Sequence, residues 1–445
     1  MIKYFTMPKP EKKEKKRWAM YEVRFADQKY NVQDILRIVP DEELAKIALD
    51  TKVDYYAKVL KGERVFYMLV CAFTLADRSS QRKLEDVFQS KLFVSLFNVE
   101  PGRRVSHSSI STRLANINMD FFECAYETIY KSFSKYYTPD EIASMRLVRV
   151  DSTMVAEASN KLKKGFTVGS KGAAGKDKKQ IKYTMAFDGF QAMLAKVFDE
   201  PSYLSEDVAM PEVVMDIVKR DKDHRNLYLL DRGFCALSNY NRVSDSNAYF
   251  VGRIKTNRKM SLVRSLMAED ADRDLGKLEL EDDVIAHLYG KDRKEDPHDY
   301  RVVKAKFKEA RDTTRRNLGE NSKVRRVENE VYFITNNFDI SAQEVAEAYR
   351  RRWDIEVFYR FLKQNLCFSH LLSTSENGIK VILYMTLITA MLIMIYKHLN
   401  GIGFSAAKWR FMLEMIDLTT QLQVVLCGGE PGNTSKKYII RTRIP

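Results

Sequence analysis

Residues 341–366 read SAQEVAEAYRRRWDIEVFYRFLKQNL and form the most clearly marked helix in the chain. Ser341 followed three residues later by Glu344 is a capping box, which predicts that the helix begins at this point. Successive helical residues turn by about 100°, so one arc of about 60° gathers four polar side chains. These are Tyr349, Arg352, Glu356 and Lys363. The stretch therefore predicts one long helix with a narrow polar stripe.

Apolar side chains of the same stretch cover an arc from about 40° to about 260° on the helix. They are Trp353, Ile355, Val357, Phe358, Phe361, Leu362 and Leu366. An apolar arc this wide predicts that the helix is largely buried against a core. The polar stripe mixes a carboxylate, two cations and a phenol, which favours the wall of a site. The alternative is a buried ion-pair network in which Arg352 pairs with Glu356 one turn away.

Upstream of this helix, two apolar runs each lead directly into an aspartate. Leu147–Val150 is followed by Asp151, and Leu227–Leu230 is followed by Asp231. Between residues 145 and 254 the pattern predicts the order strand, strand, strand, helix, strand, helix, strand. This is the order of an RNase H-like core, in which the first and fourth strands lie side by side. We therefore expect the two aspartates to be neighbours.

Asp151, Asp231 and Glu356, called the acidic triad below, have the chemistry that two divalent cations require. Two such ions stabilise the oxygens that are exchanged at a phosphodiester, and carboxylate oxygens are ligands that suit Mg²⁺. Position distinguishes these three among 60 acidic residues, because two follow apolar strands and one lies on a well-marked helix. The expected cofactor is Mg²⁺, as two ions, with Mn²⁺ able to substitute.

Composition and charge restrict the class of protein. The chain has 445 residues, of which 45% are hydrophobic, so it can bury a substantial core. Lys and Arg number 74 against 60 Asp and Glu, and the net charge of +14 favours nucleic acid as a partner over an anionic membrane surface. Five scattered cysteines without a Cys-x-x-Cys pair predict neither a disulfide framework nor a zinc site.

The longest uncharged apolar run, Val381–Tyr396, is shorter than the ~20 residues of a membrane span. It predicts a buried core helix. The lysine-rich N-terminus has no apolar segment of the kind that a secretory signal requires. We therefore expect a cytoplasmic protein that binds no membrane.

Three further segments could contact DNA, and the sequence leaves each of them open. Val105–Ile117 fits a helix-turn-helix with Arg113 pointing outward, or a plain structural helix. Tyr300–Glu309 alternates apolar residues with lysines, which fits either a solvated edge strand or a strip that faces phosphates. Lys161–Lys182 holds eight lysines and fits a DNA-backbone contact or a solvated loop.

The polar stripe carries a resemblance to a known family. With its spacing it resembles in full the Tyr-Arg-Glu-Lys signature of the bacterial DDE transposases of the "insertion sequence four" family: Tyr349-x2-Arg352-x3-Glu356-x6-Lys363. Asp151-Ser-Thr and Asp231-Arg-Gly-Phe resemble the segments that hold the other two acidic residues of this family. The resemblance covers about residues 147–400.

The resemblance implies roles for these residues. The acidic triad would be catalytic and would bind the two Mg²⁺ ions, while phosphates of the transposon end would be held by Tyr349, Arg352 and Lys363. Family members cut DNA at terminal inverted repeats and join the ends to a target, often through a hairpin on the transposon end. Some relatives flip a base onto a tryptophan of an insertion. Tryptophan occurs here only at Trp18, Trp353 and Trp409, so Tyr289 or Tyr300 would have to serve.

The predicted fold is α/β. It combines an RNase H-like catalytic core, a β-rich insertion before the last catalytic helix, which the resemblance implies, and a mainly helical N-terminal domain. The predicted divisions are a basic flexible arm (1–30), a helical DNA-binding domain (31–140), the first part of the core (145–254), the insertion subdomain (255–330), the last core strand and catalytic helix (331–400) and a C-terminal segment (401–445).

The predicted function is a DNA transposase that cleaves insertion-sequence ends by Mg²⁺-dependent phosphodiester hydrolysis and joins the 3′-hydroxyl ends to target DNA. Its partners would be double-stranded DNA, as terminal inverted repeats and as target, and a second copy of the chain in a homodimer on DNA. Its location would be the bacterial cytoplasm, at the nucleoid. The alternatives are another RNase H-fold nuclease or recombinase and a catalytically decayed DNA-binding protein.

Overall fold

A computed structural model gives the fold, which is mixed α/β. It describes residues 25–426 except 26, 37, 76–79, 91–92, 95–96, 98, 101, 157–161, 163, 168–178, 291, 310–328 and 367. Most of the predicted basic arm, much of the lysine-rich segment and the end of the C-terminal segment lie outside the described residues.

Within the described residues, α-helices lie mainly toward the two ends of the chain, and two more lie between strands. They are α1 (Val32–Leu36), α2 (Asp41–Asp50), α3 (Gly62–Leu75), α4 (Gln81–Gln89), α5 (His107–Asn116), α6 (Asp120–Phe133), α7 (Glu206–Arg220), α8 (Leu237–Asp245), α9 (Ala342–Arg351), α10 (Asp354–Asn365), α11 (Glu376–Asn400) and α12 (Phe404–Leu426). Helix α11 has a mean hydropathy of 2.1 over its apolar window, and 94% of that window is buried inside the protein. It packs against α3, α5, α6 and α12, as a core helix does.

Within the described residues, twelve strands form one sheet. They are β1 (Glu141–Ile142), β2 (Met145–Ala156), β3 (Phe166–Thr167), β4 (Lys179–Phe187), β5 (Ala192–Phe198), β6 (Asn226–Leu230), β7 (Tyr249–Ile254), β8 (Met260–Ser265), β9 (Asp274–Leu275), β10 (Leu278–Tyr289), β11 (Glu295–Phe307) and β12 (Glu330–Thr335). The order is β3-β4-β2-β6-β7-β12-β11-β10-β8, with β5 on β4, β1 on β2 and β9 on β10.

Strands β2, β4, β5, β6 and β7 follow the predicted order, with α7 before β6 and α8 before β7. The first and fourth of these strands, β2 and β6, are parallel neighbours whose last registered pair is Val150 with Leu230. Asp151 and Asp231 come directly after that pair, so they lie side by side. One prediction is wrong, since β2 does not end at Asp151. It continues to Ala156 along β4, and only its pairing with β6 stops.

The strands between residues 255 and 330 extend this same sheet. Strand β12 pairs antiparallel with β7 on one side and with β11 on the other, so it joins the inserted strands to the core. The lysine-rich stretch that starts at Tyr300 lies in β11, between β10 and β12, and is therefore not an edge strand. Across the ladder with β10, Lys304 pairs with Asp282 and Lys306 with Glu279. Lys308, just after β11, pairs with Asp274 on β9.

One buried ion pair ties the inserted strands to the helix that follows them. Arg301 on β11 donates to both carboxylate oxygens of Asp283 on β10, at 2.9 and 2.6 Å. Each side chain is only 7% exposed. Arg301 also donates to the carbonyl of Ile340, the residue before the N-cap of α9. The pair thus fixes where α9 begins relative to the sheet.

Helix α5 occupies the segment that fitted a helix-turn-helix. Ser106 caps it, with its hydroxyl accepting a hydrogen bond from the Ser109 amide. The prediction that Arg113 points outward is wrong. Its guanidinium donates inward to the carbonyls of Leu60 (2.9 Å) and Val53 (2.7 Å), because these groups in the α2–α3 connection need a donor.

Candidate active site

Asp231 lies in a tight turn that directly follows β6. The Phe234 amide donates to the Asp231 carbonyl at 2.9 Å and closes the turn. Gly233 in this turn comes so close to α7 that a Cβ atom there would lie 2.8 Å from the Cγ of Glu206. Only glycine fits at this position without a shift of the neighbouring Glu206 side chain, and this is a physical reason for the glycine in the Asp-Arg-Gly-Phe segment.

Glu356 comes from a helix pair, α9 and α10, where the sequence predicted one continuous helix. The capping box of Ser341 and Glu344 is confirmed at the start of α9. Between α9 and α10 the amide hydrogen bonds reach back three residues, as from Glu356 to the carbonyl of Trp353 at 3.0 Å. The apolar face of α10 is buried as predicted, but Trp353 is 52% exposed because it lies in the break.

Arg352 lies in this break and faces the whole acidic triad. Its guanidinium nitrogens are 2.6 Å from a Glu356 oxygen, 3.6 Å from an Asp151 oxygen and 3.6 Å from an Asp231 oxygen. Its Nε atom is buried and has no hydrogen-bond partner among the described residues. The Arg352–Glu356 ion pair that the sequence offered as an alternative is therefore present. It belongs to a cluster in which one cation faces three carboxylates.

Burial dominates the electrostatics of Asp151. It raises the pKa of the Asp151 carboxyl to about 7, and the charges of Asp231 and Glu206 act in the same direction. A hydrogen bond from the Ser152 amide at 2.8 Å and the charge of Arg352 oppose them. A carboxyl with so little water around it keeps its negative charge most easily beside a cation.

The other two residues of the polar stripe flank this cluster. The Arg352 guanidinium carbon is 5.8 Å from the ring centre of Tyr349, and burial raises the pKa of the Tyr349 hydroxyl. Lys363 near the end of α10 donates to the Met154 carbonyl on β2 at 3.3 Å, and burial lowers the pKa of its amine. All six predicted site residues thus lie on β2, on the turn after β6, or on α9, α10 and the break between them.

Further residues of this site were not identified from the sequence. Glu206, the first residue of α7, accepts a hydrogen bond from the Ser152 hydroxyl at 2.6 Å and pairs with the buried Lys182 at 2.9 Å. Tyr359 of α10 donates to the Asp151 carbonyl at 2.6 Å. A signal existed for Glu206. Helix α7 is the crossover that leads into β6, so its first turn lies at the edge where β6 ends.

Aromatic residues considered for base stacking differ in accessibility. Tyr300 is fully buried and donates a hydrogen bond to Asn241 at 2.6 Å, so it cannot serve. Tyr289 carries the ammonium group of Lys259 over its ring at 4.2 Å. Trp353 lies outside the inserted strands, next to Arg352 in the chain, and its side chain is exposed.

The donor set suits a hard divalent cation. The acidic triad offers carboxylate oxygens, which favour Mg²⁺ and Mn²⁺ over softer metals. In the described part of the chain, no three acidic, histidine or cysteine side chains are drawn together closely enough to hold a metal ion. The Arg352 guanidinium stands between the three carboxylates. The arrangement therefore already accommodates positive charge at the place where the triad converges.

Comparison with known proteins matches this chain to a family. Residues 143–392, more than half of the chain, match the family described as "Transposase DDE domain". The chain is 26% identical over 175 residues to the candidate transposase y4zB of Sinorhizobium fredii, a match that covers 39% of this chain and 44% of that protein. It is 30% identical over 167 residues to the candidate transposase for insertion sequence element IS4SA of Synechocystis, covering 37% and 39%. The chain thus spans less than half the length of either relative.

A solved structure is also similar over most of the chain. The piggyBac transposase synaptic complex with hairpin DNA matches with a TM-score of 0.42 and 12% identity. The match covers 90% of this chain and 82% of the piggyBac chain.

Proposed function

The chain belongs to the insertion-sequence DDE transposases, since the DDE domain spans more than half of it, and on that premise we propose that it is a DNA transposase that cuts and joins DNA. It cleaves the ends of an insertion sequence by Mg²⁺-dependent hydrolysis and joins the 3′-hydroxyl ends to target DNA. Its proposed partner is double-stranded DNA, first as terminal inverted repeats and then as target.

The observation that carries this proposal is the meeting of the acidic triad around Arg352. Three carboxylates from a strand, a turn and a helix lie 2.6 to 3.6 Å from a single guanidinium. The triad carboxylates would be free to bind divalent ions once the Arg352 guanidinium leaves them and binds another anion. A DNA phosphate is the anion that an arginine in this position would bind.

The proposed chemistry has two steps. The acidic triad would hold two Mg²⁺ ions, which would supply positive charge at the attacking and leaving oxygens. In the first step, water forms a bond to phosphorus and the 3′-oxygen leaves, giving a 3′-hydroxyl and a 5′-phosphate. In the second step, that hydroxyl attacks a phosphodiester of the target and displaces its 3′-oxygen. Tyr349, Arg352 and Lys363 bind the phosphates and hold the DNA end in place.

The test is incubation of the full chain with a plasmid that carries its gene and both flanks, with Mg²⁺ and with EDTA. We expect Mg²⁺-dependent cuts at inverted repeats, and the structure of the cut ends reports whether a hairpin forms. Binding to the flanks without cutting would favour a catalytically decayed DNA-binding protein. Cutting without preference for the flanks would favour another nuclease or recombinase of the RNase H fold.

Replacing Lys363 with alanine should weaken binding to end DNA and lower the slope of log affinity against log salt by about one phosphate contact. The reason is that the Lys363 amine lies beside Met154 on β2, three residues beyond Asp151, where it could bind a phosphate of DNA at the acidic triad. Binding of labelled end DNA over a series of salt concentrations measures the slope. Lys219→Ala, at the far end of α7 and 71% exposed, is the control and should leave the slope unchanged. An unchanged slope for Lys363→Ala would contradict the phosphate role.

We also propose that the helical domain, residues 31–140, binds DNA through a cleft beside α5. The cleft has a volume of about 510 Å³, and its lining includes Tyr56, Lys58, Arg103 and Arg104. Tyr55 and Tyr56 are highly exposed and pack edge to face, with 4.6 Å between their ring centres. Cationic side chains bind DNA phosphates, and exposed aromatic rings stack on bases.

Replacing Arg103 and Arg104 together with alanine should lower the salt slope by about two phosphate contacts, because each arginine would bind one phosphate. The same binding series measures the effect. Lys131→Ala, on α6 and outside the cleft, should leave the slope at its original value. If the double variant keeps the wild-type slope, DNA does not bind this cleft.

The proposed assembly is a homodimer on the two ends of the element. Trp409 and Ile416 are seven residues apart on α12 and both are exposed, so one face of this helix offers apolar surface to a second copy. Sedimentation with and without end DNA measures the assembly state. The proposed location is the bacterial nucleoid, where the substrate DNA lies.

A further inference from the structure

Arg149 is among the largest fully buried side chains of the described residues. It lies on β2 two residues before Asp151, so both side chains project from the same face of the sheet. A guanidinium buried this completely is unfavourable unless its donors are satisfied and its charge is paired. The partners of Arg149 therefore indicate what the buried charge does.

Two of these partners lie on either side of the break between α9 and α10. The Nε–H of Arg149 donates to the carbonyl of Arg351, the last residue of α9, at 3.1 Å. Its Nη2 donates to the carboxylate of Asp354, the first residue of α10, at 2.9 Å. The remaining donors bind the Leu147 carbonyl at 3.1 Å and the Asp140 carboxylate. The Arg149 side chain, on the sheet, thus contacts both ends of the break.

The backbone shows why the break needs this partner. In a continuous helix the Ile355 amide would donate to the Arg351 carbonyl. Here the Ile355 amide donates to the Arg352 carbonyl at 3.3 Å, and Arg149 binds the carbonyl that is left over. The break in turn decides the direction of two site residues, because Arg352 lies within it and Glu356 lies in the first turn of α10.

The surroundings leave the guanidinium little freedom. The turn between β4 and β5 packs against it at Gly189, which has a φ of +101°. A Cβ atom at that position would lie 2.7 Å from Nη1 of Arg149. The sheet, through the Leu147 carbonyl and the β4–β5 turn, therefore also restricts the position of the guanidinium.

We propose that Arg149 is a positioning residue for the acidic triad. By binding the Arg351 carbonyl and Asp354 it fixes the break, and it thereby holds Glu356 opposite Asp151, its neighbour on β2. The proposal rests on the proposed function in one respect, which is that the triad binds divalent cations. It adds that the buried Arg149 brings the glutamate to the two aspartates, which the pairing of β2 with β6 already places side by side.

The test compares Asp354→Asn with Asp140→Asn in the full chain. Both changes remove one carboxylate partner of Arg149, and both carboxylates are partly exposed, but only Asp354 belongs to α10. Binding of Mn²⁺ to the protein in complex with a short duplex of flank DNA is measured from the electron paramagnetic resonance signal of free Mn²⁺, with the duplex alone as the blank. DNA binding in EDTA and the urea midpoint are measured alongside. We expect Asp354→Asn and Arg149→Lys to weaken Mn²⁺ binding by about tenfold, with DNA affinity in EDTA unchanged.

Asp140→Asn should change Mn²⁺ affinity by less than about twofold, well below the tenfold effect of an orienting partner, even if it lowers the urea midpoint as much as Asp354→Asn does. Equal weakening by both asparagine variants would mean that Arg149 acts through stability alone, and the proposal would be overturned. Unchanged Mn²⁺ affinity in Asp354→Asn would overturn it as well, while leaving the transposase proposal intact. A wild-type protein that binds no Mn²⁺ and cuts no flanking DNA would overturn both proposals.

Discussion

The Glu356→Gln variant should bind end DNA at least as tightly as the wild type and cut it at least about 100 times more slowly. Glutamine keeps the size of glutamate but loses the charge that a divalent cation requires. It also replaces the carboxylate closest to Arg352, at 2.6 Å, with a neutral amide. DNA affinity is maintained because the change removes negative charge beside the phosphates. Cleavage of flank DNA in Mg²⁺ and filter binding in EDTA measure the two effects separately.

The matched control is Glu347→Gln, the same substitution on α9. Glu347 pairs with Arg350 and Arg351 at the surface and contacts none of the acidic triad. Its cleavage rate should stay within about threefold of the wild type, since an exposed pair contributes at most about 1 kcal/mol. Asp231→Asn should behave like Glu356→Gln. Loss of a charge-stabilising group slows a reaction by about 100-fold or more. If either triad variant cuts at more than about one-tenth of the wild-type rate, that residue is therefore not a catalytic ligand.

The second large effect is expected at the buried pair of Arg301 and Asp283. Replacing Arg301 with methionine leaves the Asp283 carboxylate buried and without its bidentate partner, which should lower the free energy of unfolding by about 3–5 kcal/mol. Urea denaturation followed by circular dichroism measures the change. The α9 N-cap would also be affected, because Arg301 binds the carbonyl just before it. Cleavage should therefore fall at urea concentrations that leave the wild type active.

Two further variants distinguish pairing from packing. Arg301→Met combined with Asp283→Leu removes both charges and should recover most of the lost stability, because no charge is left buried. Lys306→Met on the same strand removes an exposed pair with Glu279 and should change stability by less than about 1 kcal/mol. A loss below about 1 kcal/mol for Arg301→Met alone would mean that water reaches Asp283.

Local patterns account for what could be predicted about the fold. The strands and helices of residues 145–254 follow from apolar runs and periodicity, and the known order of such a core then makes β2 and β6 neighbours. The union of the inserted strands with the core sheet could not be predicted. Strand β12 pairs with β7 across the whole insertion, and nothing in the sequence of either strand specifies that partner. The inward direction of Arg113 depends in the same way on carbonyl groups far away in sequence.

For the site, too, local spacing could be predicted from the sequence and long-range contacts could not. Spacing alone predicts the polar stripe, because residues three, four and seven apart share a helix face. The break within that helix depends on Arg149, which lies 202 positions before the carbonyl that it binds. The exposure of Trp353 follows from the break, so it was beyond sequence reasoning too. Tyr359 gave no signal, because a tyrosine on an apolar face is ordinary in any core.

The position of Arg352 among the three carboxylates has a consequence for the protein before it binds the element's ends. A nuclease whose acidic residues face one another without a cation would suffer mutual repulsion and would depend on its metal even to keep its shape. Arg352 supplies part of the missing positive charge, so the repulsion among the three carboxylates would be weaker while the protein folds and searches along DNA. Since one guanidinium cannot serve the triad and a phosphate fully at the same time, a DNA phosphate that binds Arg352 would free the carboxylates for divalent ions. Phosphates occur in every DNA sequence, so the choice of the element's end would rest on other contacts.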